Sequence, residues 1–133
     1  TTLFRSWIMN EQQTVTFRYR MSNRDVFYLG GLINGARNIT LMNDAAIRLM
    51  AKVFGNTGHC VEVKKIRLYT PSQAGDYMEY IARTKKIDGN RALIEVRAFK
   101  VIEVPKEPPF PSSIDVLPEP VLSTVGQFVY ETF

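Results

Sequence analysis

Cysteine, histidine and tryptophan occur once each in this chain of 133 residues, and no charge type is gathered into a dense run. A lone Cys60 closes no internal disulfide, so a disulfide-stapled scaffold is excluded and a reducing, cytoplasmic compartment is the expectation. His59 and Cys60 are adjacent and point to opposite faces of any strand that holds them. One of each falls short of a zinc set, and no metal is expected. Charged or amide side chains interrupt every apolar stretch within a few residues, which excludes a bilayer-spanning helix and a membrane partner. The 17 basic residues outnumber the 13 acidic ones. They are dispersed, however, and the nearest approach to a stripe, Lys64-Lys65-x-Arg67 with Lys85-Lys86, reads as a solvated strand face, so nucleic acid is not an expected partner. Residues Thr1 to Ile8 lack the h-region of a signal peptide. Residues 1–12 are read as an N-terminal extension, with Met9 a candidate start. No internal repeat is visible.

What is present suits one domain, 1–133, with a real core: apolar residues make up 45% of the chain. Thr14 to Met21 alternates, with Val15, Phe17, Tyr19 and Met21 on one face, and predicts a half-buried strand. From Asn34 to Phe54 the period becomes helical. Ile39, Met42, Ala46, Leu49 and Val53 form a stripe that Leu41, Ala45 and Met50 widen, and Gly55 supplies the stop. His59 to Tyr69 changes phase at Lys64-Lys65, the mark of a bulge. Tyr77 to Lys86 and Arg91 to Val104 are joined by an Asp88-Gly89 hairpin signal. The six prolines from Pro105 to Pro120 read as a long extended connection outside any strand, and Val121 to Tyr130 as a last strand. One strand, one long helix and four strands cannot be doubly wound. They predict an α+β domain in which a curved antiparallel sheet wraps one helix. Its open edges and wide apolar surface favour at least a homodimer.

Met21 to Asp44, MSNRDVFYLGGLINGARNITLMND, brings together a carboxylate, a phenol, a glycine pair, an amide and a helix start. Glycines let backbone approach a ligand closely, and the first helical turn offers unpaired N–H groups that suit a developing negative charge. The string M-S-x-x-D-x-x-Y-x-G-x-L-x-N-G-A-R, Met21 to Arg37, resembles the 3-aminobutyryl-CoA and β-alanyl-CoA ammonia-lyases, which are hotdog-fold enzymes. Thr70-Pro71 leading through Ala74-Gly75-Asp76 to Met78-Glu79-Tyr80 resembles the turn and strand of the same family. The likeness spans roughly Met21 to Val104. Between Gly55 and Lys65 the chain departs from the family's more acidic and aromatic pattern, a difference that bears on substrate choice.

The resemblance implies reversible elimination of ammonia from a β-amino acyl-CoA, 3-aminobutyryl-CoA giving crotonyl-CoA. Coenzyme A enters only as part of the acyl-CoA thioester substrate, and no other cofactor is implied. Such chemistry needs a base for the α-proton, donors for the enolate and a proton for the leaving amine. Asp25, Tyr28 and Asp44 are the catalytic candidates, and Asn34, Gly35, Ala36 and Arg37 the substrate-binding ones. Each has a plain structural reading too: Asp25 as a turn cap, Tyr28 as a packed ring, Asp44 as the partner of Arg48 four residues on. Asp44 also lies roughly 15 Å along the helix from Asn34. Asp76 reads as a turn residue and Glu79 as a pocket candidate. Arg37, Lys64, Lys65 and Lys86 are weak candidates for the CoA phosphates. Two rivals use the same fold: an acyl-CoA thioesterase and a non-catalytic acyl-CoA binding module.

Overall fold

A computed structural model describes residues 14–133, so the expected extension over 1–12 lies outside the described residues. Strand β1 (Thr14–Arg20) is followed by two single-turn 3-10 segments, helix α1 (Gly35–Phe54), and strands β2 (His59–Leu68), β3 (Tyr77–Asp88), β4 (Arg91–Glu103) and β5 (Asp115–Glu131). All five strands join one antiparallel sheet in the order β1-β3-β4-β5-β2. The expected order of one strand, one helix and four strands is the one found.

The side chains explain the layers. On α1, Leu41, Met42, Ala45, Ala46, Leu49 and Met50 are buried, and they meet the inward residues Tyr80, Ala82, Ile94, Val96, Ala98 and Phe128 of the central strands. Gly126 keeps the sheet close to the helix, because a Cβ there would fall 2.8 Å from the end of Met42 and 2.7 Å from the Phe128 ring. Asn34 caps the helix start by accepting from the Ala36 amide, and Gly55 ends the helix in the left-handed conformation. A second, small apolar cluster of Ile81 and Phe99, with Val101 and Leu122 against it, sits apart from the main core.

Strand β2 is an edge and is exposed along nearly its whole length. Its pairing with β5 shifts between Cys60 and Glu62 and again between Val63 and Lys65, where the sequence changes phase.

One expectation is corrected. The proline-rich connection ends at Ile114 rather than Pro120, and β5 contains Pro118 and Pro120. The ladder to β4 accommodates them through a register shift: Val116 faces Ile102 and Val121 faces Lys100, so residues 117–120 stand opposite Val101 alone. Prolines fit a strand that bulges out of register and, among the described residues, has no strand on its other side, since β2 reaches only as far as Thr124.

Candidate active site around the helix start

The segment from Met21 to Asn34 is anchored before it reaches α1. Ser22 caps the turn Asn23–Asp25, and a reciprocal capping box ties Ser22 to Asp25. Met21 and the Ala74-Gly75-Asp76 turn exchange backbone bonds, Met21 N–H to Asp76 O at 2.8 Å and Gly75 N–H to Met21 O at 2.7 Å. Asp76 is buried, accepting from the Gln73 amide at 2.8 Å and from Lys100 Nζ at 3.1 Å. That is the turn role its sequence suggests. Gly75 must be glycine, having φ of 92° and Val104 Cγ2 only 2.6 Å from any added Cβ. Glu79 pairs with Arg18 at 3.6 Å. The glycine pair stands three residues upstream of the helix rather than against it. Both glycines have φ of 81°, and Leu32 and Ile33 form bridges to Gln73 and Val26 before the cap.

Asp25 lies in a clamp. Its carboxylate accepts from the Ser22 amide at 2.8 Å, from Arg37 Nε at 2.8 Å and from the Tyr19 hydroxyl at 3.1 and 3.2 Å. Arg37 also donates to the Tyr19 oxygen at 3.1 Å and lies over the Tyr19 ring. The Asp25 side chain is only 6% exposed. Burial alone would favour the neutral acid, but the Ser22 amide, Arg37 and Tyr19 together outweigh it and hold the carboxyl below its ordinary value. The Arg37 guanidinium, bonded to Tyr19 and Asp25, is held more firmly protonated than usual. A carboxylate so held fixes the loop to the helix and is a weak proton acceptor.

Two clefts open on either side of the helix start. Asp25, Asn34, Ala36 and Arg37 line a broad open one of about 410 Å³, with Val26 and Thr40. Tyr28 and Gly35 line a narrower one of about 240 Å³, with Leu32, Ile33, Leu68 to Ser72, Asn38 and Thr124. The predicted site residues are thus divided between neighbouring clefts, and Asp44 lines neither. The Ala36 amide is committed to Asn34 Oδ1 at 3.1 Å. Gly35 N–H, by contrast, donates to no group among the described residues, and Leu68 packs over this glycine so closely that a Cβ would meet it at 3.2 Å. Tyr28 is half exposed at the rim, with its ring edge-on to Phe27. Asp44 is half-buried and has no hydrogen bond or ion pair among the described residues. Arg48, its suggested partner, instead lies over the Phe17 ring at 4.5 Å.

Sequence reasoning missed the floor of the narrow cleft. Asn38 is buried, receives the Tyr80 hydroxyl at 2.6 Å and donates to Ser72 Oγ at 3.0 Å. Burial holds the Tyr80 hydroxyl firmly protonated. The available signal was an amide within the apolar stripe of the helix, four residues after its cap, since a polar group there needs a partner.

No family model matches the chain. Against curated proteins, the chain is 35% identical over 106 residues to a 3-aminobutyryl-CoA ammonia lyase of Acetoanaerobium sticklandii, covering 79% of this chain and 82% of that one. Among solved structures it is similar to the β-alanyl-CoA:ammonia lyase of Clostridium propionicum, with a TM-score of 0.83, 28% identity, and coverage of 90% of this chain and 84% of the other. A hexameric broad-specificity acyl-coenzyme A thioesterase shares the fold at a TM-score of 0.73 and 18% identity, over 87% of this chain and 77% of its own. The sequence match over most of both chains, joined to this architecture, shows that the chain belongs to the hotdog-fold family of CoA-thioester ammonia-lyases.

Proposed function

We propose that the chain reversibly eliminates ammonia from a β-amino acyl-CoA, with 3-aminobutyryl-CoA giving crotonyl-CoA as the preferred reaction. The observation that carries this reading is the 35% identity to a 3-aminobutyryl-CoA ammonia lyase across 82% of that protein. The local geometry supports it. A thioester oxygen set against the uncommitted Gly35 N–H at the positive end of α1 gains a donor for the enolate, and Tyr28 at the rim is positioned to orient it. In the reaction the Cα–H bond breaks, its proton passes to a carboxylate, and the electron pair is held as the enolate. The Cβ–N bond then breaks as the C=C bond forms, and the same carboxyl returns the proton to the departing nitrogen.

Asp25 suits anchoring, because its acceptor positions are filled. Asp44 suits the base: its carboxylate has no bond among the described residues. At ~1.5 Å rise per residue it stands roughly 13 Å along the helix from Gly35, so it serves a site completed by a second copy of the chain. Exposed Phe27, Leu29, Leu68 and Tyr69 beside the clefts give a second copy an apolar surface to cover. The enzyme is read as a cytoplasmic homodimer or higher homo-oligomer; no helix among the described residues is long and apolar enough to cross a membrane.

Mixing the protein with crotonyl-CoA and ammonium tests the reading. The expected result is loss of enoyl absorbance without release of free thiol, and Asp44→Asn should slow it by about 10²-fold or more while thioester affinity is kept. Thiol release without need of ammonium would replace the lyase by the thioesterase. Parental turnover in Asp44→Asn would return the base to another group.

A further inference from the structure

The narrow cleft beside Gly35 is lined by one buried side-chain oxygen that no group among the described residues satisfies. Thr124 is on β5, opposite Ala98 on β4, in phase with Gly126 and Phe128, which face the helix. It is 1% exposed, yet its Oγ1 has no hydrogen-bond partner among the described residues. Its neighbour Ser123, also buried, donates to Thr70 O at 2.6 Å, so the strand satisfies one hydroxyl and not the next. The other polar side chains of the floor are engaged: Asn38 with Tyr80 and Ser72, and Ser72 further with Met78 Sδ at 3.6 Å.

Two buried hydroxyls lack a partner among the described residues, Thr84 Oγ1 and Thr124 Oγ1; Thr124 is the one that lines this cleft, where an unpaired hydroxyl is open to a ligand. The cleft supplies the place. Its remaining walls are largely apolar, formed by Leu32, Ile33, Leu68, Tyr69 and Pro71, and its volume of about 240 Å³ lies below the range of about 300–1,000 Å³ typical for drug-sized ligands. It admits a short acyl group and not the body of CoA. Among the described residues no carboxylate lines it, so the Thr124 hydroxyl would meet a ligand as a neutral acceptor, and the group that suits it is an N–H donor carried on an otherwise apolar chain.

We propose that Thr124 Oγ1 is a specificity-determining contact for the β-amino group of the acyl moiety, with the thioester at Gly35 and the short chain lying along the cleft between them. The inference rests on the lyase reading for its substrate class. A plain acyl chain in the same place offers the hydroxyl no donor, so it gains nothing from Thr124. An amino-bearing chain removes the deficit. A site that bonds a polar substituent discriminates against analogues lacking it far better than apolar packing does.

The test compares Thr124→Val, which keeps the shape and removes the hydroxyl, with Thr124→Ser, which restores it. Two quantities are read: KM for elimination from 3-aminobutyryl-CoA, and the inhibition constant of butyryl-CoA, which has no amine to lose. Thr124→Val should raise KM about tenfold, as for one lost hydrogen bond, with kcat within about twofold. Butyryl-CoA should bind as before, and Thr124→Ser should return KM to near the parental value. Equal weakening of both ligands would overturn the proposal by placing the hydroxyl on the part they share. So would unchanged constants in Thr124→Val, or failure of serine to rescue. If the parent eliminates no ammonia, direct titration of the two thioesters decides instead. A parental preference for 3-aminobutyryl-CoA that Thr124→Val abolishes upholds the contact while the lyase reading falls, and no preference overturns the contact as well.

Discussion

The two clefts flanking the start of α1 are built from neighbouring residues and differ in what their polar atoms have left to offer. At the broad one, Asp25 is bonded to Arg37, Tyr19 and Ser22, and Arg37 also to Tyr19, so the carboxylate is spent on holding the loop. In the narrow one, the Gly35 amide and the Thr124 hydroxyl have no partner among the described residues, and the walls are mostly apolar. A carboxylate beside an arginine draws attention in a sequence because such groups do chemistry. The comparison teaches that filled hydrogen-bonding capacity marks architecture, and that only capacity left open inside a cleft is available to a ligand.

Breaking the clamp should have the largest effect. Asp25→Ala leaves the Arg37 guanidinium and the Tyr19 hydroxyl without their acceptor and releases the capping box, and a loss of about 3 kcal/mol is expected for one partner of a part-buried pair. Chemical denaturation would show it as a lower midpoint. An unchanged midpoint would mean that the clamp is ornamental and that Asp25 is free for catalysis after all.

Next comes the floor of the narrow cleft. Tyr80→Phe removes the donor to Asn38 Oδ1 and strands that oxygen in the core, a change of about 2 kcal/mol. It should loosen the one feature of this cleft that is fully satisfied, so thioester affinity should fall with stability. A stability loss with affinity untouched would show that the floor is independent of the site.

The smallest effect sharpens the comparison through pH. Folding lowers the Asp25 pKa, so its contribution to stability is complete above the ordinary value of 3.8 and is lost as pH falls through the lower folded value. Stability of the parent should drop in that acid window, and the drop should be shallower in Asp25→Asn, which has no proton to take up there. Parallel acid limbs in the two proteins would contradict the assignment.

Local signals were legible in the sequence. The alternation of Val15, Phe17 and Tyr19, the Asn34 cap, the Gly55 stop and the Gly89 hairpin each act within a few residues, and each gave an element close to its observed bounds. The family string covers the stretch of chain that leads into the helix start between the two clefts. What it could not show was which neighbours meet across the fold. Tyr19 reaching Asp25, and Tyr80 reaching Asn38 from forty-two positions away, depend on the pairing of β1 with β3 and of the sheet with the helix. Thr124 was silent for the same reason, since a threonine on a strand carries no mark of being unpaired. The reach of β5 past Pro118 was hidden because prolines argue against a regular ladder, and the ladder there is irregular.

That irregularity has a consequence for how copies of this chain meet. Beyond Thr124, β5 has no β2 beside it, and a bare strand margin is a template on which another chain can grow by backbone pairing. Pro118 and Pro120 withhold two amide hydrogens from that margin, and the extra residues throw it out of line, so a stranger's strand finds neither the donors nor the straight run it needs. Backbone pairing with another strand is thereby disfavoured at this corner.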